Sequence, residues 1–182
     1  AGKSTLMKML NGLYEPTSGE IYYKDKSIKI DTPSIAAKIG IGMVYQHFML
    51  IDTLTVAENM VLGFEPKTFG VFRKGKAKQD VREVAEKYGL NIDPSSKVGD
   101  LSVGIQQRIE ILKILFKGAE LLIFDEPSAV LTPQEVKELY QIMRNLVKEG
   151  KTIIFITHKL QEVLDVSDNI TVIRKGKNVG EI

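Results

Sequence analysis

Cysteine is absent from this chain, so it has neither a disulfide framework nor a thiolate metal site, a composition that fits a reducing compartment. Its 2 histidines cannot build a zinc site alone. Long apolar runs are missing too: stretches such as LLIF, Leu121 to Phe124, fall far short of the ~20 residues that span a bilayer. Any membrane connection is therefore expected to run through a partner. Nor is there an excess of one charge. The 25 Lys plus Arg stand against 23 Asp plus Glu, the net charge is +2, and the basic residues are scattered, which argues against nucleic acid. Internal repeats and low-complexity tracts are lacking. No basic-then-apolar signal segment opens the chain, which instead begins at Ala1 inside a motif, and a truncated sequence is expected.

What is present is 43% apolar composition over 182 residues, enough for one sizeable core with or without a smaller attached lobe. Thr132-Pro133-Gln134-Glu135 is a capping box with proline at the first helical position. Apolar residues Val136, Leu139, Tyr140, Met143, Leu146 and Val147 then recur at helical spacing, and Gly150 supplies the left-handed stop. TIIFIT, Thr152 to Thr157, and LLIF before Asp125 are apolar on both faces and predict buried parallel strands. Strand, helix, strand makes a βαβ unit. It sets Asp125, Glu126 and His158 on one sheet edge, where ligands of open α/β sheets bind. Ile21 to Ile30 alternates as a hairpin beside the main sheet. From about His47 to Asp100 the pattern becomes short helices and loops, with a helix over Gln79 to Leu90 stopped by Gly89 and a mobile surface loop over Lys67 to Lys78.

AGKST matches the end of the phosphate-binding pattern G-x-x-x-x-G-K-[ST], with a helix following from Leu6 to Leu10 and stopped near Gly12. A glycine turn and a helix N-terminus aim N–H groups at phosphate, Lys3 adds a cation, and Ser4 reaches magnesium. Alone, the string fits an ordinary helix start equally well. LLIFDEP supplies the second half, delivering Asp125 and Glu126 to the ligand edge with Pro127 ending the strand. Two adjacent carboxylates repel unless a cation is near. Magnesium on ATP is the natural neutraliser, with Asp125 in its shell and Glu126 left to orient or deprotonate a water. LSVGIQQR reads as a helix capped by Ser102 with the stripe Ile105, Ile109, Leu112 and Leu115, its free N–H groups facing an anion or merely solvent.

With Gln46 after GIGMVY, LSVGIQQR, SAVLT after the acids and His158 after a strand, the chain resembles the ATP-binding-cassette (ABC) transporter family. The resemblance implies a P-loop, RecA-like α/β fold. A parallel-sheet core over 1–46 and about 104–182 would carry a small antiparallel β part, and a helical subdomain would span about 47–103. It also implies that the first strand lies ahead of Ala1. ATP and Mg2+ would be bound by Gly2, Lys3, Ser4 and Thr5 on the phosphates and by Ser4, Gln46 and Asp125 on the metal. Glu126 and His158 would be catalytic, the latter reaching the γ-phosphate. Ser102, Val103, Gly104 and Gln106 would act on the ATP of a second cassette closed head to tail on the first. The stretch departs from the family's LSGGQQQR at Val103 and Ile105, and Thr132 stands near the aspartate of the usual SALD loop. Transmembrane permease subunits and an extracytoplasmic solute-binding protein complete such a system at the cytoplasmic face of the cell membrane.

More finely, GMVYQHFMLIDTLTVAENMVLG, LSVGIQQRIEILK and DEPSAVLTPQEV resemble the N-terminal cassette of importers for simple sugars or nucleosides, whose ATPase polypeptides carry two cassettes. On that resemblance the residues before Ala1 hold the adenine-stacking aromatic and the first loop glycine, a second cassette follows Ile182, and the 182-residue piece alone is expected to be inactive. A soluble ABC ATPase acting on ribosomes or DNA would need a basic surface or a dedicated linker. A silent nucleotide sensor would have no use for Glu126 and His158.

Overall fold

The computed structural model describes residues 2–62, 67–68, 71–72 and 74–182. Helix α1, Lys3–Leu10, begins at the lysine itself, because Gly2 takes a left-handed φ of 106° and turns the chain directly into it. That is earlier than the Leu6 start expected. Strands β1, Ile21–Tyr23, and β2, Lys26–Ile28, pair antiparallel across a tight turn in which both Lys24 and Asp25 have positive φ, as a two-residue primed hairpin turn requires. Helix α2, Pro33–Lys38, starts on a Thr32 cap with proline at its first position. Strand β3, Ile41–Val44, follows, buried throughout.

After β3 come α3, Val56–Val61, with a Thr55/Glu58 capping box, then the short antiparallel pair β4, Lys67–Thr68, and β5, Val71–Phe72. Helix α4, Lys74–Lys87, is next. The loop expected over Lys67 to Lys78 is thus in part a strand pair and the first turn of α4; residues 69, 70 and 73 lie outside the described residues. The helix expected from Gln79 starts earlier because Lys74, Lys76 and Lys78 do not oppose helix, and Ala77 gives that turn a buried anchor. A 3-10 turn, Val98–Asp100, leads to α5, Val103–Phe116, then β6, Leu121–Asp125, α6, Pro133–Lys148, and β7, Thr152–Ile156. Helix α7, Leu160–Val166, and the hairpin β8, Thr171–Arg174, with β9, Lys177–Glu181, end the chain.

The main sheet has the order β3-β6-β7, all parallel, with Val44 opposite Phe124 and Phe124 opposite Phe155. One core runs from α3 and α4 through α5 to β6 and α6; a second packs α1, α2 and the β1–β2 hairpin on the other sheet face. Helix α5 lies in the middle of the first, so burial extends beyond the expected stripe to Gln107, Glu110, Ile111 and Ile114. Strand β7 differs from expectation in the opposite sense. Ile153, Ile154 and Phe155 are only half-buried: β7 is one of the sheet's two edge strands among the described residues and, unlike β3 at the other edge, is incompletely covered.

Candidate functional site

Parallel pairing puts the C-terminal ends of β3, β6 and β7 on one edge, and α1 is seated against that edge through two side chains. Lys3 Nζ donates to the Thr157 carbonyl at 2.8 Å, and Ser4 Oγ donates to Asp125 Oδ1 at 2.9 Å. Asp125 is the last residue of β6 and is buried. The first intrahelical bond of α1 runs from the Leu6 N–H to the Gly2 carbonyl, which leaves the N–H groups of Lys3, Ser4 and Thr5 without helix partners. Gly2 is required twice over: its φ is left-handed, and a Cβ would come within 3.3 Å of the Gly176 backbone in the β8–β9 turn.

Glu126 also holds a left-handed conformation, φ 47°, which costs a non-glycine residue roughly 1–2 kcal/mol. Its N–H donates to the Ile156 carbonyl at 3.0 Å and its own carbonyl accepts from the Ala129 N–H at 3.2 Å, so both flanks are fixed. The twist turns the side chain to His158, whose Nδ1 lies 3.2 Å from Glu126 Oε1. An ionised carboxylate only accepts, so this contact needs the proton on Nδ1 and leaves Nε2 free. The imidazole is 66% exposed, open to anything entering the edge. Gln46 stands in the bend two residues beyond β3 on this same edge, exposed and, among the described residues, without a side-chain hydrogen bond. Thr5 is exposed on the first turn of α1.

The residues of LSVGIQQR lie apart from this cluster. Ser102 caps α5, accepting from the Ile105 N–H at 3.4 Å, and Val103 is exposed. Gln106 turns back to the Val98 and Leu101 carbonyls. The expectation of free N–H groups at this helix start needs correction at Gly104: its N–H donates to Glu135 Oε1 at 3.1 Å. Glu135 is the capping-box acid of α6, and hydrogen bonds from the Thr132 backbone and hydroxyl, with smaller help from Gly104 and Arg108, hold its carboxyl below the usual range. An anion thus already sits on the α5 N-terminus, as the helix dipole favours.

Residues that the motifs did not single out tie the edge together. Glu162, buried on α7, accepts from Ser128 Oγ at 2.6 Å and Thr157 Oγ1 at 2.8 Å, with Lys159 Nζ 3.0 Å away. Burial pushes its carboxyl up, yet those three contacts outweigh burial and hold it below the usual range. Nothing in its sequence surroundings sets it apart from the other acids of a short amphipathic helix.

Among the described residues no cluster of three or more His, Cys, Asp or Glu could hold a metal by itself. The pair Ser4 and Asp125 nevertheless suits magnesium. That ion takes hard oxygen donors and is held by one or two protein groups alongside substrate phosphates and waters.

A family model described as ABC transporter matches residues 1–129. The chain is 57% identical, over its whole length, to the nucleoside import ATP-binding protein NupA of Lactococcus lactis subsp. cremoris (strain MG1363), covering 36% of that protein. It is 59% identical over 98% of its length to the guanosine import ATP-binding protein NupO of Bacillus subtilis (strain 168), covering 35% of it. The chain therefore spans about a third of the length of these curated relatives. Among solved structures it is similar to the ADP conformation of MJ1267, an ATP-binding cassette of an ABC transporter, with TM-score 0.83 and 25% identity over 98% of this chain and 74% of that one.

Proposed function

From the premise that this chain belongs to the ABC transporter family, we propose that it is the ATP-binding and ATP-hydrolysing part of a solute importer. The carrying observation is one sheet edge on which Lys3 bonds the Thr157 carbonyl, Ser4 bonds Asp125 and His158 meets Glu126. The phosphates of ATP lie on the α1 N-terminus, held by the N–H groups of Gly2 to Thr5 and by Lys3, which exchanges the Thr157 carbonyl for phosphate oxygen. Ser4 and Asp125, with Gln46 nearby, hold Mg2+, which when bound neutralises charge on the phosphates. Glu126 accepts a proton from water as the water oxygen attacks the γ-phosphorus in line; the bond to the β–γ bridging oxygen breaks and ADP leaves. His158, braced through Nδ1, donates from Nε2 to the γ-phosphate when both ring nitrogens carry protons.

Ser102, Val103, Gly104 and Gln106 contact none of these groups. This supports the reading that they act on the ATP of a second cassette in a head-to-tail pair. Residues 1–46 and about 104–182 then form the nucleotide core, and about 47–103 the helical lobe. No helix among the described residues is long and apolar enough to cross a membrane, so transport would run through permease subunits, with the cassette at the cytoplasmic face and a solute-binding protein outside. A simple sugar or nucleoside is the solute class; the names of the two relatives at 57% and 59% identity favour a nucleoside.

Replacing Glu126 by Gln in the intact protein keeps the shape but removes the base. ATP affinity should persist, phosphate release should fall at least about a hundredfold, and the nucleotide-bound pair should accumulate. Phosphate release at the wild-type rate would sink the assignment.

A further inference from the structure

Glu126 and His158 come from different strands, and the two loops that carry them are joined behind the site by one buried acid. Ser128 stands two residues after Glu126, and Thr157 immediately precedes His158; their hydroxyls donate to opposite oxygens of the same Glu162 carboxylate, at 2.6 and 2.8 Å. All three side chains belong to buried residues. Lys159 closes the arrangement, its Nζ lying 3.0 Å from Glu162 and 3.4 Å from Ser128, while its N–H donates to Thr157 Oγ1 at 3.1 Å. The Thr157 carbonyl on the other side of that residue accepts from Lys3.

We infer that Glu162 is a positioning residue for hydrolysis: by bridging Ser128 and Thr157 it sets the spacing of Glu126 and His158. This rests on the proposed role of Glu126 as base. Both loops leave parallel strands and would otherwise find their relative height from backbone pairing alone, which ends at Asp125 opposite Ile156. Beyond that point the loops are joined by the Glu126 N–H bond to the Ile156 carbonyl, by the exposed Glu126–His158 contact itself, by the Lys159–Ser128 bond and by the Glu162 bridge, which has its carboxylate buried. A carboxylate with two acceptor oxygens fits two hydroxyl donors at once, and the Ser128 and Thr157 hydroxyls, then Lys159, favour its ionised form in a buried place.

The Glu162 carboxylate bonds Ser128, Thr157 and Lys159, behind the groups assigned to ATP, so its loss should act on turnover and spare binding. In the intact protein with its partner subunits, Glu162→Ala should lower kcat by about 10- to 100-fold, the scale set by small misplacements of reacting groups. ATP affinity, measured by equilibrium binding, should stay within about twofold of wild type. Glu162→Gln keeps an acceptor oxygen and offers a donor to whichever hydroxyl turns round, so it should restore most of the lost turnover. If Glu162→Ala does not fold, Ser128→Ala and Thr157→Val each remove one arm of the bridge and should show the same split between kcat and affinity. Wild-type kcat in the folded variants, or a loss confined to affinity, overturns the proposal. Running Glu126→Gln alongside separates the two readings. Turnover kept in Glu126→Gln removes the base and the bridge's purpose together; turnover lost there but kept in Glu162→Ala removes the bridge alone.

Discussion

Glu110 sits on the buried side of α5, only 3% exposed, beside a cavity of about 150 Å³ whose lining includes Tyr45, Met49, Lys113 and Lys117. One oxygen accepts from the Met49 N–H at 2.7 Å, while Lys113 donates to the Met49 carbonyl at 2.7 Å, so two side chains of one helix turn grip the backbone just beyond Gln46. Burial pushes the Glu110 carboxyl above its ordinary value, against the pull of Lys113, the Met49 N–H and Lys117. A raised folded-state value means that the folded chain holds this proton more tightly than the unfolded chain. Stability from this group is then present below the unfolded value and lost as pH rises through the folded one. Glu110→Gln keeps an acceptor for Met49 and abolishes the ionisation. Its melting temperature should exceed wild type by a few degrees at neutral pH and converge with it below the ordinary value of 4.5; a variant less stable at neutral pH would contradict this. The contrast with the phosphate edge explains what could be read beforehand. Lys3, Ser4, Asp125, Glu126 and His158 stand in strings whose spacing is itself the chemistry. Glu110 and Ser128 gain their meaning from partners 61 and 34 residues away, and Thr157 and Glu162 from joining that network, which only the packed fold supplies.

At the scale of elements, the α6 start and the glycine stops were the legible part, while α1 and α4 begin earlier than read. Thr132-Pro133 and Glu135 opened α6 as read, and Gly89 and Gly150 stand in left-handed conformations just past α4 and α6. Illegible were the short pieces, α7 and the β8–β9 hairpin, too brief for a periodicity to emerge, and the contacts between elements. The junction of α5 and α6 is the clearest case. Glu135 serves both helices, accepting from the Thr132 N–H and hydroxyl through one oxygen and from the Gly104 N–H through the other. Gly104 is needed there because a Cβ would lie 2.4 Å from Glu135 Oε1. Gly104→Ala should therefore push the Glu135 side chain aside, breaking its bond to the α5 start and weakening the capping box. Glu135→Ala should cost stability through the same cap. Because one contact is lost in both, the double variant should be clearly less destabilised than the sum of the two, as read from urea denaturation midpoints. Additive losses would show that alanine at 104 and the carboxylate at 135 do not collide.

For the whole molecule, two surfaces point outward to other chain. Among the described residues β7 pairs on one side with β6 alone, and its Ile153, Ile154 and Phe155 are apolar yet only half-buried, whereas parallel sheets are normally covered on both faces. The second is the start of α5, whose signature residues bond among themselves and to α6 but reach none of the phosphate-edge groups. On the proposed function such a site is completed by the signature helix of another cassette. The 182-residue polypeptide, carrying every wild-type site residue, should therefore release no phosphate from ATP above background. The intact protein assembled with its partners should turn over at a rate typical of transport ATPases. A colorimetric phosphate assay on both preparations decides the matter: turnover by the 182-residue polypeptide that stays constant per molecule on dilution would mean that one cassette suffices, and the head-to-tail reading of Ser102 to Gln106 would fall with it.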